Sequence, residues 1–176
     1  MAKFFSVTFE ASGLITMANG FEEEPKTLPP NQITCSQEQM QNPGMYAVVN
    51  GQIVESLTYA KTTQITLLQS AFQQAEQAQI SITLASGVTT AFGMTPHDWT
   101  KIVGLYSKYV VKGATLSSGY QIPDVKGILQ FVTVIDIENL FDAGESQMTE
   151  TVSKLSSLIN QVKSAITVSA VKAIVF

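Results

Sequence analysis

His97 and Asp98 stand side by side, and they are the first residues to weigh for chemistry. A histidine beside an acid can act as a general base if a serine or cysteine nucleophile comes within reach. His97 is the only histidine and Cys35 the only cysteine of the chain. No nucleophile-elbow motif occurs, and Cys35 lies far away in sequence, in a segment that reads as β. His97 therefore reads as a surface or capping residue. A metal centre draws on several His, Cys or clustered carboxylates at ligand spacing, which one His and one Cys do not supply. Asp136, Glu138 and Asp142 form one acidic group, explained by capping and helix-dipole complementarity. Gly87 and Gly93 fit neither a dinucleotide fingerprint nor a phosphate loop. The expectation is a chain without enzymatic activity, with no catalytic residue, no cofactor and no metal site.

The elements that hold these residues follow from periodicity. Thr95-Pro96-His97-Asp98 is a helix start: Thr at the N-cap, Pro at the first helical position, Asp three residues after the cap. The helix that follows places Trp99, Ile102, Val103, Tyr106 and Val110 on one side, and Gly113 ends it. Before it, Ile80, Ile82 and Leu84, a Ser86-Gly87 turn, then Val88, Thr90 and Phe92 alternate as a β-hairpin. Ile65, Leu68, Phe72 and Ala75 make one apolar stripe on a helix over 57–79. Residues 117–127 read as loop and 129–132 as one more strand. Thr133 with Asp136 repeats the cap and opens a short helix ending near Gly144. The seam Met148, Val152, Leu155, Ile159, Val162 and Ile166 is heptad-like but short, so packing on the domain's own core is favoured over a coiled coil. Thr167 breaks that run, and a short helix closes the chain. No internal repeat is read.

The first part is β-rich. Phe5, Val7 and Phe9 share one face of a first strand, Ser12-Gly13 turns, and residues 14–17 pair back. Pro25, Pro29 and Pro30 keep residues 20–31 in loop. Two domains are expected: a small β-domain over 1–56, and an α+β domain over 57–176 with an amphipathic helix, a β-hairpin and three further helices. The fold class is α+β.

Composition narrows the partners. The 176 residues are long enough to bury roughly 70% of the extended-chain surface. Charged residues are 14%, against roughly 25% in ordinary soluble domains. Between Ser56 and His97 only Lys61 and Glu76 carry charge. A surface of Gln, Ser and Thr is cheaper to desolvate than a charged one, so it serves equally as a solvated face or as a protein contact. The net charge is −4, and all ten basic residues are Lys. Without arginine or a basic stripe, nucleic acid is not expected as a partner. The start lacks the apolar core of a secretory leader, and no segment is apolar enough for a membrane span. A lone cysteine excludes an internal disulfide and is compatible with a reducing compartment. Trp99, Tyr106 and Tyr109 read first as core packing. Tyr46, Tyr59 and Tyr120 lie at element ends, where a ring can be half exposed; with Tyr109 they are the candidate partner-binding residues.

Two stretches carry a family resemblance. Leu28-Pro29-Pro30-Asn31 precedes a strand, Gln32-Ile33-Thr34-Cys35, a polar segment and a turn at Asn42-Pro43-Gly44. A hairpin follows: Tyr46-Ala47-Val48-Val49, Asn50-Gly51, Gln52-Ile53-Val54, with Asn-Gly suited to a type I′ turn. This order, with helices after it, resembles the N-terminal part of phage tail-fibre assembly proteins. The second half runs from Gly87-Val88-Thr89-Thr90-Ala91-Phe92-Gly93-Met94-Thr95-Pro96-His97-Asp98-Trp99, through Val132-Thr133-Val134-Ile135-Asp136-Ile137-Glu138-Asn139-Leu140-Phe141, to the amphipathic closing helix. It resembles a domain of unknown function found in phage tail-fibre-associated proteins.

The resemblance implies an assembly chaperone that binds the C-terminal, distal region of a trimeric phage tail fibre and aids its folding and trimerisation. It would act in the host cytoplasm during virion assembly, and a homo-oligomer is compatible with the role. The alternative it implies is a structural or receptor-binding adhesin component retained at the tail-fibre tip, with a part in host-cell recognition.

Overall fold

The structure is a computed structural model that describes residues 4–176. Met1, Ala2 and Lys3, part of the start expected to lack a secretory leader, lie outside the described residues. The protein is α+β: small β-sheets come first and helices follow. Its described residues divide into two compact units, 4–67 with 159–175, and 68–158 with Phe176.

In unit 1, β1 (Phe4–Phe9) is the middle strand of an antiparallel sheet, with β2 (Ile15–Phe21) on one side and β3 (Gln32–Cys35) on the other. Alternation puts Val7 in the core, with Ile15 and Val48. The hairpin of β4 (Tyr46–Val49) and β5 (Gln52–Glu55) turns at Asn50 and Gly51, both at positive φ (50° and 73°), as a type I′ turn requires. Gly13 joins the hairpin to the sheet: it sits at φ 82°, and its carbonyl accepts from the Val48 N–H at 2.8 Å. A side chain at residue 13 would collide with the Val48 carbonyl, so only glycine fits.

The polar segment after Cys35 contains a helix, α1 (Gln37–Gln41). Ser36 and Gln39 close a reciprocal capping box that satisfies two backbone N–H groups. The boundary expected at residue 56 differs from the compact units. Lys61 and Gln64, early in α2 (Leu57–Glu76), donate to the carbonyls of Lys163 and Ile174, each at 2.6 Å. Lys172 pairs with Glu55 at 2.6 Å. These partners are about a hundred residues apart, and no local pattern announces them.

Unit 2 holds two hairpins, each leading into a helix capped by Thr-x-x-Asp. The first, β6 (Ile80–Thr83) with β7 (Thr89–Phe92), leads to α3 (Pro96–Leu105), which widens into a π-helical turn over Tyr106–Val111. The second, β8 (Gln121–Pro123) with β9 (Leu129–Phe131), leads to α4 (Val134–Ser164). Both hairpins use the same turn. Leu84 and Val88, like Asp124 and Ile128, bracket a left-handed glycine: Gly87 at φ 85°, Gly127 at φ 76°. The unit thus repeats one motif with a spacing of 40 residues at the glycines, a repeat that sequence identity alone does not disclose.

Two expectations are corrected. Residues 117–127 are not all loop, because β8 lies within them; a three-residue strand ending at Pro123 is too short to show alternation. No helix ends near Gly144, for α4 runs 31 residues without a break. Gly144 is there because α4 passes close to α3: a Cβ would lie 2.5 Å from the Trp99 ring and 2.8 Å from Met94. Trp99 and Tyr106 both stack on Phe141, with ring centroids 5.4 and 3.9 Å away. The closing seam is interrupted as well: Val162 is fully buried, while Val152 and Ile166 point to solvent. The last helix is α5 (Val168–Lys172), capped by Thr167.

Candidate functional site

The concave feature of unit 2 is a groove of about 510 Å³, within the range of ligand clefts. Its apolar lining includes Phe92, Ile102, Leu105, Ile122 and Leu140. Helix α3 forms one wall. Thr95 fixes the start of that wall: its hydroxyl accepts from the Asp98 N–H and donates to Asp98 Oδ2 at 2.6 Å. From there Asp98, Lys101, Leu105 and Lys108 recur at three- and four-residue steps along the groove. The π-helical turn closes with the Lys112 N–H donating to the Ser107 carbonyl, five residues back. Such turns insert a residue into the helical face and recur at functional sites. Here the turn carries Lys108 and Tyr109. Lys108 Nζ lies 4.9 Å from the Tyr109 ring centre, and that ring lies 5.9 Å from Tyr120.

The opposite wall is β8, contributing Gln121, Ile122 and Pro123. Two buried carboxylates brace this region. Asp136 accepts from the Ala85 N–H at 2.6 Å and from the Thr133 N–H and hydroxyl at 2.7 Å, joining the first hairpin's turn to the start of α4. Asp124 accepts from the N–H groups of Lys126 and Ile128, from Thr90 Oγ1 and from Gln130 Nε2. Burial pushes the Asp124 carboxyl upward, but hydrogen bonds from Ile128, Thr90, Gln130 and Lys126 outweigh it, and the net shift is downward. The Val125 N–H donates to the Ala91 carbonyl at 2.9 Å and ties the two hairpins together.

Of the four tyrosines proposed for partner binding, the structure brings Tyr109 and Tyr120 together at the groove. Tyr46 and Tyr59 belong to unit 1, apart from it in the chain's organisation. Tyr46 donates from its hydroxyl to Glu38 Oε1 at 3.5 Å, and burial followed by the Glu38 charge raises its pKa. Tyr59 sits in the first turn of α2, half buried, close enough to act electrostatically on Tyr46. Unit 1 has its own smaller hollow of about 280 Å³, lined by Phe4, Phe5, Glu24, Pro25, Thr34 and Cys35. Burial raises the Cys35 pKa, which keeps the thiol protonated and poorly nucleophilic.

His97 is exposed, and its neighbour Asp98 is committed to the helix cap. Glu138 and Asp142 face solvent, while Asp136 is buried in its structural role. Among the described residues no three His, Cys, Asp or Glu side chains are grouped to hold a metal, and no helix is long and apolar enough to cross a membrane. Lys101, Lys108 and β8 were not legible as site residues. The helical spacing of 98, 101, 105 and 108 was available, but nothing local showed which wall it would face. No protein-family model matches the chain, and searches of curated proteins and of solved structures found no similar protein.

Proposed function

We propose that this protein is a non-enzymatic assembly factor that binds the C-terminal, distal part of a trimeric phage tail fibre and helps it fold and trimerise. The observation that carries the reading is the second hairpin of unit 2. Leu129 and Phe131 are 56% and 62% exposed, beside exposed Val125 and Ile128, on a two-stranded sheet whose β9 edge pairs with no further strand among the described residues. Clustered apolar exposure of this kind marks an interaction surface, and an unpaired edge invites β-augmentation. An unassembled fibre chain presents the complementary problem: strand edges and apolar surface stay open until three chains register. A covering protein with few charges desolvates at low cost against such a surface.

Co-expression with the cognate fibre tests this. The yield of soluble, trimeric fibre should rise several-fold, and the two proteins should co-elute on size exclusion. Equal yields of trimer with and without the protein, and no complex, would remove the chaperone reading. Stoichiometric presence in mature particles would favour the tail-component alternative.

A further inference from the structure

We infer that the groove of unit 2 is a peptide site, which takes an extended segment carrying carboxylates beside an apolar side chain and adds it as a third strand to β8. Three consecutive residues of β8 line the groove. Successive side chains of a strand point to opposite faces, so the groove runs along the strand's edge rather than across one face.

The register gives the direction of the backbone groups. The Val132 N–H donates to the Tyr120 carbonyl, and the Asp124 N–H donates to the Ile128 carbonyl. In an antiparallel pair alternate residues turn their polar groups to the partner strand. Tyr120, Ile122 and Asp124 therefore bond toward β9. The N–H and C=O of Gln121 and the C=O of Pro123 face the other way; the next residue on that edge, Val125, is already bonded to the Ala91 carbonyl of β7, so the stretch of edge without a paired strand among the described residues is Gln121–Pro123. One donor and two acceptors are thus offered to an incoming strand. Pro123 has no N–H to leave unmet.

Charge decides the occupant. Lys101 and Lys108 line the same groove seven residues apart on the α3 wall. Among the described residues the single ion pair is Lys172–Glu55, in the other unit, so neither groove lysine has a carboxylate partner. The groove's own acid, Asp98, is engaged by the Thr95 hydroxyl. Two lysines in a groove whose apolar lining includes Phe92, Ile102, Leu105 and Ile122 complement a segment with carboxylates flanking an apolar residue. The proposed function would make a fibre segment the source of such a peptide, and the inference rests on that reading for the source alone.

The test uses the full chain and no fibre. Three fluorescein-labelled peptides are compared by fluorescence polarisation: Gly-Ser-Asp-Leu-Asp-Phe-Gly, its version with Asn for both Asp, and its version with Lys for both Asp. The acidic peptide should bind about fivefold to tenfold tighter than the Asn version, the scale of two partly exposed charge contacts, and the Lys version more weakly still. Lys101→Gln with Lys108→Gln, both exposed residues, should abolish the difference between the acidic and Asn peptides. Gln121→Pro removes the outward donor without touching the β8–β9 ladder, and should weaken all three peptides while the thermal melt stays unchanged. Equal binding of the three peptides, no binding of any, or an acidic preference that survives the double lysine change would each overturn the inference. So would groove occupancy by a second copy, seen as a concentration-dependent dimer that the acidic peptide does not dissociate.

Discussion

The hairpin of β6 and β7 and the hairpin of β8 and β9 turn the same corner with the same glycine, yet one is core and the other is surface. Aligned on Gly87 and Gly127, the inward positions Ile82, Leu84 and Phe92 of the first match Ile122, Asp124 and Val132 of the second. Outward, Thr89 and Ala91 match Leu129 and Phe131. The first hairpin keeps small or polar residues outside and apolar ones inside, as a packed sheet should. The second puts its largest apolar residues outside and a carboxylate inside, where four hydrogen bonds replace part of the packing. The difference teaches that a repeated motif can hold its shape by polar fastening and leave its apolar face for a partner.

Truncating the aligned pair is the severest way to break this comparison. Phe92 is 3% exposed in the core cluster, so Phe92→Ala should destabilise the protein by about 3–5 kcal/mol in urea unfolding. Phe131→Ala should change stability by less than about 0.5 kcal/mol, as surface changes do, while reducing binding to the fibre. Comparable losses of stability would mean that the second hairpin is also core, and its face is not available.

The two capping aspartates offer a smaller contrast. Asp136 is 2% exposed and serves three donors from two elements. In Asp136→Asn the amide NH₂ must face a backbone N–H, and the expected cost is about 2–3 kcal/mol. Asp98 serves its own cap, and Asp98→Asn should cost less than about 1 kcal/mol because Thr95 still receives the helix N–H. Similar unfolding midpoints for the two variants would show that the bond to Ala85 contributes nothing.

The smallest effect is in acid. Asp124 titrates below its ordinary 3.8 in the folded protein. A depressed carboxyl contributes stability that is fully present above the unfolded value and is lost as pH falls through the folded one. Stability should therefore fall below about pH 4, and Asp124→Asn should flatten that part of the profile relative to the parent. Identical acid limbs would show that the hydrogen bonds do not hold the second hairpin's turn.

What the sequence determined by itself is what short-range physics decides. The Asn50-Gly51 turn needs two positive φ angles. The Thr95 and Thr133 caps need a hydroxyl and an acid three residues on, and the strands at 80–92 need alternation; each is complete within a few residues. The α+β class followed from those patterns. Tertiary structure alone decided the rest, because the causes are distant in the chain. Gly144 looks like a helix end until Trp99 and Met94 are seen against it. Residues 159–175 join the first unit because Lys61, Gln64 and Glu55 reach them. Tyr109 and Tyr120 could be named from the sequence, but their groove could not, since it exists only where α3 and an inconspicuous three-residue strand come to face each other.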